Sequence, residues 1–207
     1  MPHDDKTVWN QKYTEAPEKW LDPDAFLLRS CERFLAGIQP GSALDVGGGA
    51  GRQAIWLAQQ GWHVELVDVS DVGLRLAEEN AERTLGKTRA RELISRRQAD
   101  LSSVRDLGRE QYDLVIVFFF LRRELFPALA RALKPGGTLI YRTYTIAQLG
   151  FERGPRDPRF LLEPGELREA FAALRILHYE ETARDKAVAE LVARKIAVAS
   201  NREKNEA

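Results

Sequence analysis

The chain has 207 residues, enough for one well-buried domain and short for two. Lysine plus arginine equal aspartate plus glutamate at 31 each, so no net field draws it to nucleic acid or to an anionic membrane surface. A lone cysteine, Cys31, excludes an internal disulfide and reads as a small buried hydrophobe on a helix, and His3, His63 and His178 are too scattered to hold a metal.

In chain order, Val8 to Trp20 combines Trp9, Tyr13 and Trp20 with charged residues ahead of the core; it either seals the sheet from below or covers a ligand as a lid. A helix is expected from Asp24 to Ala36, with Phe26, Leu27, Cys31, Phe34 and Leu35 on one face, ended by Pro40-Gly41. Ala43 to Arg52 then joins an apolar run to an amphipathic one through Gly47, Gly49 and Gly51, and reads as strand, tight turn, helix. Glycine permits positive φ and close approach, so this loop suits a nucleotide-like ligand against bare main chain at a helix start. Asp45 stands at the carboxyl end of that strand, where open α/β sheets bind ligands. No Gly-Lys-Ser/Thr follows, which excludes a Walker A loop, whereas Gly49-Ala50-Gly51-Arg52-Gln53-Ala54 fits the loose dinucleotide pattern G-x-G-x-x-A. The helix after the loop stops at Gly61.

His63 to Asp68 alternates as a second strand, and Ser70-Asp71 caps a helix running to Leu85. Asp68 at the strand end suits the two hydroxyls of a ribose. The basic stretch Arg83 to Arg97 leads into a third strand near Leu93 to Gln98, read as a charged edge strand. Asp113 to Phe120 is nearly all apolar and reads as a central parallel strand whose last phenylalanine rings reach a cleft. A helix from Arg122 to Leu133, a turn at Lys134-Pro135-Gly136-Gly137 and a fifth strand from Thr138 to Tyr144 follow. The long loop Thr145 to Pro164 carries Arg153, Arg156 and Arg159, which either recruit an anionic substrate or form local ion pairs. A helix at Glu166 and two strands, Leu174 to Thr182 and Ala187 to Ala199, close the chain before a frayed tail at 201–207.

Asp45-x-Gly47-x-Gly49-x-Gly51 resembles the D/E-x-G-x-G-x-G signature of class I S-adenosylmethionine-dependent methyltransferases. Asp68, Ala99-Asp100-Leu101, Tyr112-Asp113-Leu114-Val115 and Leu133-Lys134-Pro135-Gly136-Gly137 extend the resemblance in the right order, nearest to a small-molecule, tellurite-resistance-like branch. The resemblance implies a Rossmann-like three-layer α/β sandwich with a seven-stranded, mostly parallel sheet and a C-terminal antiparallel hairpin. Residues 1–40 then form a helical lid segment, carrying a Trp9-x-x-x-Tyr13 pattern, and 41–200 the methyltransferase domain. It places Asp45, Gly47, Gly49, Gly51, Arg52, Asp68, Val69, Asp100, Leu101 and Phe118 at the cofactor, with Asp100 on the adenine amino group. Trp9, Tyr13, Phe119, Arg122, Tyr144 and Arg156 fall to the acceptor.

The expected activity is methyl transfer from S-adenosylmethionine to a small-molecule acceptor by direct in-line displacement, needing orientation more than acid–base help. No general base stands out: Tyr13, Arg122, Tyr141, Tyr144 and His178 serve only to line the cleft. Ala183-Arg184 stands where tellurite-resistance members carry His-Arg, which speaks against tellurite, and an absent Asn-Pro-Pro-Tyr motif speaks against nucleic-acid bases. The alternatives are a non-catalytic S-adenosylmethionine-binding sensor or partner subunit, and an NAD-dependent oxidoreductase. With no signal-peptide core and no apolar run of about 18 residues, a cytoplasmic monomer or homodimer without metal, nucleic-acid or membrane partner is expected.

Overall fold

Leu44, Leu114, Val115, Ile116, Val117 and Ile140 expose no surface, so the strands that carry them are covered on both faces. The computed structural model describes residues 5–15, 21–103 and 106–197. Helices α1 (Asp5–Glu15) and α2 (Ala25–Phe34) precede an alternating series: β1 (Ser42–Val46), α3 (Arg52–Gln59), β2 (His63–Asp68), α4 (Asp71–Leu85), α5 (Lys87–Leu93), β3 (Ile94–Gln98) and β4 (Tyr112–Phe118). A short 3₁₀ turn at Arg123–Leu125, α6 (Phe126–Ala132), β5 (Leu133–Tyr144), α7 (Glu166–Ala170), β6 (Arg175–Ala183) and β7 (Ala187–Arg194) complete it.

The seven strands order as β3-β2-β1-β4-β5-β7-β6. The first five pair in parallel, while β7 runs antiparallel between β5 and β6. Period-2 alternation along β4 divides the core. Leu114, Ile116 and Phe118 face Phe26, Leu27, Ala54 and Leu57 of α2 and α3, whereas Val115 and Val117 face Leu129 of α6, Leu167 of α7 and Phe171 just after it. The result is the three-layer sandwich with the antiparallel C-terminal hairpin expected.

Local chemistry sets the boundaries. Ser70 caps α4 by accepting from Gly73 N at 2.9 Å, and Asp24 caps α2 by accepting from Phe26 N at 2.8 Å. Helix α5 was not anticipated; only Ala90 of its seven residues is buried, so it carries no apolar stripe to read. Strand β7 ends at Arg194, short of the expected Ala199. Arg194 pairs with Thr138, beside the irregularity where β5 shifts register against β4, and Lys195 exchanges two backbone hydrogen bonds with Gly136 and Gly137 of β5, which the sequence suggested as a turn. Trp20 and the expected frayed tail lie outside the described residues.

Helix α1 lies against α4, held by polar contacts at its first turns. Lys6 Nζ is 2.9 Å from Asp71 Oδ1, Asn10 Nδ2 donates to the same oxygen, and Ser70 Oγ donates to Asn10 Oδ1 at 2.7 Å. Arg122, beyond β4, pairs with Asp5 and fastens the other side. Among the described residues no helix is long and apolar enough to cross a membrane.

Candidate cofactor and acceptor site

The carboxyl ends of β1, β2 and β4 converge on the glycine loop. Gly49 adopts φ +55° and Gly51, the residue before α3, adopts φ +82°. Both are left-handed conformations that side chains avoid. A Cβ on Gly49 would stand 1.8 Å from the Tyr13 hydroxyl, whereas one on Gly51 would meet Ala77 and Leu66. Gly51 therefore lets α3 pack on α4, and it does not line the cavity.

Two buried carboxylates flank the loop. Asp68 Oδ2 accepts from Gly49 N at 2.9 Å and Oδ1 from Ser70 N at 2.8 Å, so Asp68 braces the loop from within. Burial raises its carboxyl above the ordinary value, against these backbone donors. Asp45 is 1% exposed and its Oδ2 has no hydrogen-bond partner. Burial first, then the Asp68 charge, pushes its carboxyl up to about 7, with Arg52 opposing.

These groups open into one cavity. Of the expected cofactor residues, Asp45, Gly47, Arg52, Asp68, Val69, Asp100, Leu101 and Phe118 line it; of the expected acceptor residues, Trp9, Tyr13, Phe119 and Arg122 do. Asp100 Oδ1 accepts from Ser102 N at 2.8 Å, and hydrogen bonds from Ser102 hold its carboxyl below the usual range. The Tyr13 ring is buried beside Trp9, with centroids 5.8 Å apart, and burial pushes its phenol up. Helix α1 thus roofs the cavity.

Tyr144 lies behind the lining, its ring centroid 5.1 Å from that of Phe119. Arg156 is not brought to the cavity. It donates to the carbonyls of Leu149, at 2.7 Å, and Phe151, because its own loop turns those acceptors toward it. Arg159 pairs with Asp157, two residues away. Of the other residues expected to line the cleft, Tyr141 is in the core, donating to Phe120 O at 3.0 Å, and His178 packs between Phe26 and Phe34. Phe120 lines the cavity too, as expected of the last rings of the Asp113 to Phe120 run, whereas Asp5, Gln53 and Ser102 line it without having been singled out for it. Gln53 alone carried a signal, a polar residue facing inward in the first turn of α3.

Residues 43–137 match the methyltransferase domain family. The chain carries a class I, S-adenosylmethionine-dependent methyltransferase domain. The chain is 28% identical over 200 residues to a ubiquinone biosynthesis O-methyltransferase of Alkalilimnicola ehrlichii, an overlap of 79% of this chain and 77% of that protein. A ribosomal RNA small subunit methyltransferase C of Alcanivorax borkumensis is 32% identical over 123 residues, 56% of this chain but 35% of that one. Among solved structures, magnesium protoporphyrin IX methyltransferase from Synechocystis, with bound SAH, superposes with a TM-score of 0.71 at 19% identity, covering 92% of this chain and 97% of that one. That likeness describes the fold, and the methyltransferase domain places its glycine loop and both acids at the sheet edge where this fold binds ligands.

Proposed function

We propose that the cavity holds S-adenosylmethionine and that the enzyme passes its methyl group to a small-molecule acceptor by direct in-line displacement. The observation that carries this reading is Asp45, a buried carboxylate with an unpartnered oxygen against a glycine loop open to a cavity. A buried unpaired charge is costly unless a ligand compensates it, and the α-ammonium of a methionyl group supplies that compensation. Gly47 and Gly48 leave backbone accessible at the cavity wall, Arg52 faces the methionyl carboxylate, Asp68 takes the ribose hydroxyls, and Asp100 with Leu101 takes the adenine.

The bound sulfonium supplies its own activation, since a neutral thioether leaves. The chain's contribution is therefore orientation and exclusion of water. Tyr13 and Trp9 roof the cavity as a lid, and Phe118, Phe119 and Phe120 wall it at the end of β4, keeping it dry around the reacting atoms. Arg122, paired with Asp5, holds the lid in place. Small-molecule methylation is further supported by the O-methyltransferase relative, whose length this chain largely spans.

The test is calorimetric titration with S-adenosylmethionine and S-adenosylhomocysteine, with NAD as control, followed by transfer of labelled methyl into the small-molecule and macromolecular fractions of a cell extract. Binding of both adenosyl ligands but not NAD, with label in small molecules, is the expected result. Label confined to macromolecules would overturn the acceptor class, and silence from both adenosyl ligands would overturn the cofactor assignment.

A further inference from the structure

Phe119, the residue after β4, adopts φ +56°, a left-handed conformation that a bulky side chain rarely takes. The sheet does not demand it, because the Phe119 N–H still donates to Arg142 O at 2.8 Å. What the kink does is turn the ring out of the β4 alternation, onto the edge where α3, β4 and β5 meet.

There the ring is surrounded by cations. Lys186 Nζ lies 4.9 Å from its centroid, the Arg142 guanidinium carbon 5.6 Å and that of Arg52 5.8 Å, with the Tyr144 ring alongside. Arg142 is compensated: it donates to Asp24 Oδ1 at 2.6 Å and stands 3.1 Å from Glu190 Oε1. Arg52 shares the field of Asp45. Lys186 has no acid within salt-bridge distance among the described residues, although Asp185 precedes it in the chain.

Topology explains how a residue so late in the chain arrives here. Because β7 runs antiparallel to β5, with Tyr144 opposite Val188, the turn before β7 returns to the carboxyl edge of the parallel strands. Lys186 thus reaches Phe119, one of the residues that line the cavity, from the turn before β7. A single uncompensated ammonium matches a singly charged group better than a phosphate dianion, and an aromatic wall favours a planar ligand.

We propose that the acceptor is a small aromatic carboxylate, its carboxylate paired with Lys186 and its ring lying along Phe119, with the methyl-accepting atom turned into the cavity. This rests on the cavity being the cofactor site, so S-adenosylhomocysteine is titrated first. The complex with S-adenosylhomocysteine is then titrated with 3,4-dihydroxybenzoate and with catechol, which differ only in the carboxylate. Wild type is expected to bind the benzoate at least tenfold more tightly than catechol; Lys186→Ala erases that preference and Lys186→Arg keeps it, with S-adenosylhomocysteine affinity the same in all three. Equal affinities, no binding of either probe, or a preference that survives Lys186→Ala overturns the proposal while leaving the cofactor assignment standing. Failure of S-adenosylhomocysteine to bind wild type overturns both.

Discussion

The phenolic oxygen of Tyr13 lies so close over Gly49 that a methyl group on that glycine would stand 1.8 Å from it. A helix some forty residues upstream and the cofactor loop are therefore fitted to each other through one contact. Gly49→Ala places a side chain at φ +55°, which costs about 1–2 kcal/mol, and also displaces Tyr13. The expected outcome is faster amide exchange across 5–15 and at least tenfold weaker S-adenosylhomocysteine binding. Hydrogen exchange and calorimetry on the same sample check both.

Asp45 predicts a pH dependence whose sign follows from linkage. Its carboxyl rises from 3.8 to about 7 on folding, so between those values the folded state binds the extra proton. Stability of the free protein therefore falls as pH rises through that window, and levels off above about 7. Asp45→Asn is expected to flatten this part of the profile, read as thermal midpoints from pH 4.5 to 8. An ammonium brought by the cofactor reverses the preference, so wild type should release a proton on binding S-adenosylhomocysteine near pH 6, visible as a buffer-dependent binding enthalpy, and Asp45→Asn should not.

Asp68 has two duties. Besides facing the cavity, it receives the N–H groups of Gly49 and Ser70. Asp68→Ala therefore does not leave the fold untouched: it strands two buried donors, at about 1–3 kcal/mol each, in addition to weakening cofactor binding. The check is a urea midpoint beside the titration. A variant with wild-type stability and reduced affinity would remove the bracing role; the reverse would remove the ribose role.

Arg142 joins Asp24 of the α2 cap to Glu190 of β7, and all three side chains are largely buried. Removing the cation leaves two acids in an apolar setting, so Arg142→Met is expected to destabilise by about 3–5 kcal/mol. Adding Glu190→Gln should recover part of that loss. Denaturant titration of the single and double variants measures the coupling.

The elements that sequence reading located well are those with their own punctuation. Strand β2 alternates from His63 to Leu66, and Ser70 marks the start of α4 by its capping hydroxyl. Helix α5 lacked any such mark, and the apolar letters after Arg194 suggested a longer strand than β5 can pair with. At the site, Asp45 and Asp68 were legible because a glycine loop fixes what a neighbouring acid faces. Asp5 and Lys186 were not: their contacts with Arg122 and Phe119 span long stretches of chain that no local period encodes. Arg156 misled because an arginine in a Gly-Pro-rich loop looks the same whether it faces a ligand or, as here, its own carbonyls.

The strand order carries a consequence for how the molecule is made. Strand β7 comes after β6 in the chain yet lies between β6 and β5, so neither neighbour is paired on that side until β7 is in place. During synthesis β5 presents an open, largely apolar edge, and Arg142 waits for the acid at position 190. The half of the sheet bearing the glycine loop has all its partners by the end of β5. The strands that carry the glycine loop and both of its acids are therefore complete in their pairing before the C-terminal hairpin closes the sheet.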